Sequence, residues 1–206
     1  MARYRGPKNR IARREGIDLG LKTPGSNSHA NLLKRLKITP GMHGQKRRRK
    51  PSDYGLQLRE KQKVKRLYGL LEKQFRRYFE KASSHPQNTG EMMLSLLERR
   101  LDNVVYRMNL APTRTSARQF VTHGHVTVDN KKVNIPSFSV KAGQVISYEP
   151  KFLENPLVKK MLEIKDATLA SWLAKKGPVG KIARLPKRDD IAEPINEQLI
   201  IEFYSR

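Results

Sequence analysis

Residues 93–135 read MLSLLERRLDNVVYRMNLAPTRTSARQFVTHGHVTVDNKKVNI, and a change of period inside this stretch decides the fold class. Met93, Leu94, Leu97, Leu101, Val104, Val105 and Met108 recur at steps of three and four, which puts them on one face of a helix. Asn109 to Thr113 breaks that helix, with Pro112 as the stop. Residues 114–123 read as a short third helix closed by Gly124, a residue suited to a left-handed C′ position. From His125 the period is two. His125-Val126-Thr127-Val128 and Lys132-Val133-Asn134-Ile135 alternate around a tight turn at Asp129-Asn130. Helices running directly into a small antiparallel sheet make the class α+β.

Reading upstream, residues 53–83 form a helix that buries Val64, Leu67, Tyr68, Leu71, Phe75, Tyr78 and Phe79. Ser52 or Asp53 caps its start, and Gly69 is a place where it can divide. Residues 83–90 read as a loop. Downstream, Gln144 to Tyr148 alternates as another strand. Asn155-Pro156 opens a helix running to about Lys165, with Asn as N-cap and Pro at the first helical position. Leu169–Lys175 adds a turn or two of helix, and Gly177–Arg184 reads as extended. Leu199–Tyr204 fits either a final helix capped by Asn196 or a strand.

The chain has 206 residues and carries 43 Lys+Arg against 19 Asp+Glu, a net charge of +24. Such a field recruits polyanions and sets aside most small metabolic enzymes. There is no Cys, so a disulfide framework and a Cys-ligated metal site are excluded. No run approaches the ~18 apolar residues of a membrane span. The polar, basic N-terminus has no apolar core behind it, so a cytosolic or organelle-interior protein is expected and no membrane partner. Residues 1–50 hold 15 basic and 2 acidic residues with few large apolar ones. That quarter reads as an extended basic arm that becomes ordered on a partner, with one short helix around Ala30–Lys37.

The densest basic cluster is Lys46-Arg47-Arg48-Arg49-Lys50. It stays extended unless a polyanion neutralises it; a solvated run or a localisation signal is the plainer reading. Basic residues continue on the next helix as Arg59, Lys61, Lys63, Lys65 and Arg66, which favours nucleic acid. Tyr4, Tyr54, Tyr68 and Tyr78 are interleaved with them. A second group combines Arg99, Arg100 and Arg107 with Arg114 and Arg118, which are four apart on one helix face. Thr113, Thr115 and Ser116 place hydroxyls near that helix start. This arrangement suits a backbone phosphate, or it is an ordinary charged face. His123 and His125 flank Gly124 without a third ligand, so polar contacts are expected there rather than a metal. Asp189-Asp190 reads as a solvated turn. No phosphate-binding Gly loop, GxSxG or HExxH occurs, and no enzyme activity, metal or cofactor is expected. Structured RNA fits best, because its deep, narrow major groove leaves recognition to shape, phosphates and 2′-hydroxyls.

The segments 96–107, 115–125 and 132–137 closely resemble the S-four RNA-binding domain. Residues 2–8, 44–50, 52–63 and 196–206 extend the resemblance, nearly end to end, to the S-four family of small ribosomal subunit proteins of bacteria and plastids. The resemblance implies a helical domain that the C-terminus rejoins, with the S-four domain placed between. The expected divisions are an arm over 1–45, a helical domain over 46–97 rejoined by 196–206, the S-four domain over 98–164, and a variable segment over 165–195. It also implies direct, early binding to a junction in the 5′ domain of small-subunit rRNA, nucleating assembly of the subunit body. Further implied partners are small-subunit protein S-five, in a contact tied to decoding accuracy, and messenger RNA where it enters the subunit. No homo-oligomer is expected.

The residues expected to touch RNA in the arm are Arg3, Tyr4, Arg5, Lys8, Arg10, Arg13 and Arg14. The basic run and helical domain add Lys46, Arg47, Arg48, Arg49, Lys50, Tyr54, Arg59, Lys63 and Arg66. The S-four domain adds Arg99, Arg100, Arg107, Arg114, Thr115, Arg118, His123, His125 and Lys131. Many relatives carry four Cys near the N-terminus that bind zinc. Here Asn9 and Ala12 stand at the first pair of places, and the second pair, around Ser26 and Ala30-Asn31, is missing too, so the arm is expected to be zinc-free. The competing functions are an RNA-modifying enzyme with an appended S-four domain, which needs a catalytic domain that residues 1–95 are too basic to supply, and a DNA-architectural protein, which should bind duplex DNA as tightly as folded RNA.

Overall fold

A computed structural model describes residues 4–44, 50–86, 88–163 and 169–206. The chain divides into two units, Met1–Gly90 with Glu193–Arg206, and Glu91–Ala192. The first contains α1 (Lys8–Glu15), α2 (Asn27–Lys34), α3 (Asp53–Leu67) and α4 (Glu72–Ser83); α5 (Thr89–Glu98) starts in it and continues in the second. The second holds α6 (Leu101–Arg107), α7 (Arg114–Thr122), β1 (Val126–Val128), β2 (Lys131–Lys132), β3 (Val145–Tyr148), α8 (Pro156–Glu163), β4 (Leu173–Lys176) and β5 (Val179–Ile182). The chain then returns to the first unit as α9 (Glu197–Tyr204). The class is α+β, as the period change implies.

In the first unit, Ser52 Oγ accepts from Gly55 N at 3.3 Å and opens α3. Gly69, at φ +64°, divides α3 from α4. The C-terminal residues form a helix rather than a strand, since Asn196 Oδ1 accepts from Leu199 N at 3.4 Å and Ile200 is buried. α9 lies along α3 and α4. The Phe79 and Tyr204 rings stack at 4.7 Å, and the Lys61 ammonium sits 4.3 Å from the Phe203 ring centroid. Glu72 accepts from Lys61 and Lys65 and from the Tyr204 hydroxyl, at 2.7–2.8 Å.

The N-terminal quarter corrects the expectation of an extended arm with one short helix. It carries two helices, and α2 begins three residues earlier than expected. A small set of apolar residues suffices: Ile11, Ala12, Leu19, Leu21 and Leu32 are buried, while Tyr4, Leu33 and Met42 stay exposed. Arg13 donates to the Ile38 and Thr39 carbonyls at 2.8 and 3.1 Å, pinning the following loop to α1.

In the second unit the five strands run β2-β1-β3-β5-β4, all antiparallel. Their inward residues Val126, Val128, Ile146, Tyr148 and Ile182 join Leu101, Val104, Val105, Met108, Phe120 and Val121 of α6 and α7 in one core. Each fully buried aliphatic or aromatic side chain of this kind contributes about 1.5–3 kcal/mol. Gly180 of β5 permits the closest approach, because a side chain there would collide with the Met108 sulfur. At the hairpin turn Asp129 and Asn130 adopt φ +50° and +63°.

Two expected helices are corrected. The single helix over 93–108 is broken at Arg99-Arg100. There the Val140 N–H donates to Arg99 O, and the Leu101 N–H donates to Phe138 O, both at 2.9 Å. A neighbouring segment thus supplies partners that an unbroken helix would have supplied, while the apolar spacing survives on both halves. The expected turns of helix over Leu169–Lys175 do not form: from Leu173 the chain is strand β4, which pairs with β5 around Gly177 at φ +60°. Trp172 beside it is 1% exposed.

Candidate nucleic-acid interface

Most of the second unit's expected phosphate-gripping arginines face inward. Arg100 donates through Nε and Nη2 to Asp102 at 3.1 and 2.7 Å, a bidentate pair. Arg118 Nη1 lies 3.9 Å from the same carboxylate. Glu98 accepts from Arg107 at 3.0 and 2.7 Å and from Asn103 Nδ2 at 2.7 Å. Asn103 Oδ1 in turn accepts from Arg114 Nε at 2.8 Å, and the Arg114 guanidinium lies 4.4 Å from the Tyr106 ring centroid. Arg100, Arg114 and Arg118 are 2%, 7% and 6% exposed. The structure thus places these three expected RNA contacts inside the unit, on a carboxylate and an amide. Their four-residue spacing does put Arg114 and Arg118 on one face, but that face packs on α6.

The threonines at the start of α7 also serve the fold. Thr113 Oγ1 accepts from Ser116 N at 3.1 Å, and the Thr115 hydroxyl lies 3.1 Å from it. Arg99 is half-buried and donates to Val140 O. Arg107 is half-buried on Glu98. His123 and Lys131 are exposed. His125 is half-buried and lies flat on Phe152, with ring centroids 4.0 Å apart at 3°. Among the described residues there is no group of three or more His, Asp or Glu that could hold a metal. Asp190 corrects the reading of a solvated turn. It accepts from Arg184, from the Ser171 hydroxyl and from Lys187 N. Hydrogen bonds from Arg184 above all hold its carboxyl well below the usual range.

The first unit presents the outward cationic surface. An open cleft of ≈ 300 Å³ is lined by Tyr4, Arg10, Ile11, Arg14, Pro40, Arg59 and Arg66. Tyr4, Arg10 and Arg14 are exposed, and Arg59 and Arg66 are half-buried. Beneath them Glu15, its side chain 1% exposed, accepts from Arg59 at 3.2 Å and from Arg66. Burial raises the Glu15 pKa, and Arg59 and Arg66 pull it back only in part. Burial likewise lowers that of Arg66, with Glu15 opposing. Arg5 and Lys50 are exposed and Lys8 is half-buried. Tyr54 is 49% exposed, tilted against Phe203. Arg13 is committed to the loop carbonyls, and Lys63 to Pro194 O at 2.7 Å and Glu60 at 2.6 Å. Arg3, Lys46, Arg47, Arg48 and Arg49 lie outside the described residues.

The positions matching the relatives' zinc ligands do not suit that metal. No thiol is present, and Asn9 Nδ2 donates to Ser28 O at 2.9 Å, linking α1 to α2. Asp18 and His29 add a second clasp at 2.7 Å. The residues that sequence reasoning missed are the carboxylates and the amide that orient the arginines: Glu15, Glu98, Asp102 and Asn103. Their signal was an acidic residue isolated among basic neighbours.

Residues 3–98 match the Ribosomal protein S4/S9 N-terminal domain, and residues 99–146 match the S4 domain. The chain is 51% identical over 209 aligned residues to the small ribosomal subunit protein uS4 of Halothermothrix orenii and to that of Pelotomaculum thermopropionicum. It is 49% identical to that of Thermus thermophilus. Each alignment covers 100% of both chains.

Proposed function

The chain belongs to the uS4 family of small ribosomal subunit proteins, and from that premise we propose that it binds small-subunit rRNA directly and nucleates assembly of the subunit body. It is a structural constituent of the small subunit and not an enzyme. Its proposed target is a helical junction in the 5′ domain of the rRNA. Its further proposed partners are small-subunit protein S-five, in support of decoding accuracy, and messenger RNA where it enters the subunit. Its place is the ribosome, in the cytoplasm or an organelle interior.

The observation that carries the reading is the division of the cations. Interior arginines are paired with carboxylates or, for Arg114, with an amide, while Arg5, Arg10, Arg14, Lys50 and Lys131 remain on the surface beside the exposed Tyr4 ring. Exposed cations distributed over a folded surface suit backbone phosphates held in a fixed shape, which is how helical RNA is recognised. The surface RNA contacts proposed are those residues with Arg59, Arg66, His123 and His125. The arginines of α6 and α7 act by positioning.

A salt titration of binding to the 5′ domain of small-subunit rRNA, with transfer RNA and duplex DNA as competitors, tests this. The rRNA fragment is expected to win by orders of magnitude at moderate salt, with a steep salt slope. Equal binding of all three polyanions would reduce the surface to a general anion exchanger.

A further inference from the structure

The cleft of the first unit has a property that diffuse attraction to RNA does not require. Arg10 and Arg14 of α1 converge on it with Arg59 and Arg66 of α3. The carboxylate of Glu15 sits beneath and is shared by Arg59 and Arg66. Four positive groups and one negative leave a surplus of three charges on the facing surfaces of α1 and α3. Those charges repel, so the contact between the two helices is under electrostatic load whenever the cleft is empty.

The geometry leaves donors available to relieve that load. A guanidinium has five N–H donors. Arg59 and Arg66 each use an Nη1 group on Glu15, and the planar fork retains others for an anion. Arg10 and Arg14 are exposed. Tyr4 closes one side, and it can fold back because residue 6 is Gly; a side chain there would collide with the Tyr4 hydroxyl. Pro40 forms part of another wall, on the loop that Arg13 pins.

We propose that this cleft seats two adjacent phosphates of an RNA strand between the α1 and α3 arginines, and that filling it locks α1 onto α3. One diester would leave a surplus of two charges, whereas two adjacent diesters leave only one. The exposed Tyr4 ring lines the cleft and offers a face on which a neighbouring base can stack. Glu15 is a positioning residue that keeps Arg59 and Arg66 aimed into the cleft. The proposal rests on the RNA-binding reading and adds to it a site and a consequence: binding of phosphate and stability of the N-terminal helices are linked.

The test compares thermal unfolding of the full chain, followed by helical circular dichroism, in chloride and in pyrophosphate at equal ionic strength. Three proteins are compared: wild type, R10Q/R14Q, and K73Q/R77Q, which removes the same charge from exposed positions on α4. Pyrophosphate is expected to raise the midpoint of wild type and K73Q/R77Q by a few degrees and to leave R10Q/R14Q unmoved. Against the 5′-domain rRNA fragment, R10Q/R14Q should lower the salt slope by about 1–2, with K73Q/R77Q unchanged. If pyrophosphate shifts all three proteins alike, or shifts none, the cleft is not a phosphate site, even where the rRNA fragment still binds specifically. A wild-type protein that shows the pyrophosphate shift but does not prefer the rRNA fragment would instead defeat the assignment to RNA.

Discussion

Replacing Asp102 by Ala should destabilise the second unit severely. Asp102 is 4% exposed and accepts two hydrogen bonds from Arg100, which is 2% exposed, with Arg118 also at 3.9 Å. Removing the carboxylate breaks a buried pair and leaves guanidinium charge in the interior, which costs about 3–5 kcal/mol. Two hydrogen bonds to charged groups at about 1.5–3 kcal/mol each give an overlapping range of about 3–6 kcal/mol. With a urea m-value of about 2 kcal/mol/M, the unfolding midpoint should fall by about 1.5–2.5 M. Trp172 is the single tryptophan and lies in the same core, so its fluorescence reports this unfolding directly. A second variant separates charge from packing: R100L/D102L removes both partners and should sit much closer to wild type than D102A, because a buried pair is often replaceable by apolar groups. A D102A midpoint within 0.5 M (about 1 kcal/mol) of wild type would refute the reasoning. It would mean that water reaches this pair, and Arg100 and Arg118 would return to the set of phosphate-binding side chains.

Three further outcomes follow from single contacts. Burial alone would raise the Glu72 pKa, but hydrogen bonds from Lys61, Lys65 and Tyr204 outweigh it and bring it to about 2. Since that lies below its ordinary 4.5, ionised Glu72 contributes stability above pH 4.5 that is lost as pH falls toward 2; E72Q should flatten this part of the acid-unfolding profile. Tyr148 donates from its buried hydroxyl to Leu110 O at 2.8 Å, and Y148F should lower stability by about 1–2 kcal/mol in urea unfolding. Asn130 holds φ +63° in the β1–β2 turn, so N130A should cost about 1 kcal/mol in the same assay while N130G does not.

What the sequence reveals of the fold depends on how local each signal is. The switch from period 3.6 to period two after Gly124 rests on neighbouring residues alone, and the α7–β1–β2 succession follows from it. Gly69 and Asn130 were legible for the same reason: the backbone demands something of those residues whatever surrounds them. The break at Arg99-Arg100 was not legible. Its cause is a pair of hydrogen bonds from residues about 40 positions downstream, and nothing local opposes an unbroken helix. β4 was missed similarly, since Leu173–Lys176 becomes a strand through pairing with β5. In the N-terminal quarter the apolar count was low. What could not be counted was that five of them, Ile11, Ala12, Leu19, Leu21 and Leu32, would be buried, with Arg13 and Glu15 supplying polar anchors to the loop and to α3.

The candidate interface was half legible, because Lys and Arg look alike in sequence wherever they end up. What separates them is the carboxylate each one meets. In the stretch from Glu98 to Arg118, Glu98 and Asp102 lie among five arginines; both are buried, Asp102 with Arg100 and Glu98 beneath the half-buried Arg107. An arginine neutralised in this way contributes little field outside the protein. The same pairing also removes its carboxylate from the surface, where it would have repelled a polyanion. Interior neutralisation therefore leaves the +24 surplus carried by cations with few acidic neighbours, concentrated in the N-terminal quarter. A protein whose partner is a polyphosphate gains from burying its acids as much as from exposing its bases. On this reasoning a charge-neutral variant such as E98Q/R107Q should disturb folding without changing the salt slope of RNA binding, whereas R10Q/R14Q should lower that slope without destabilising the fold.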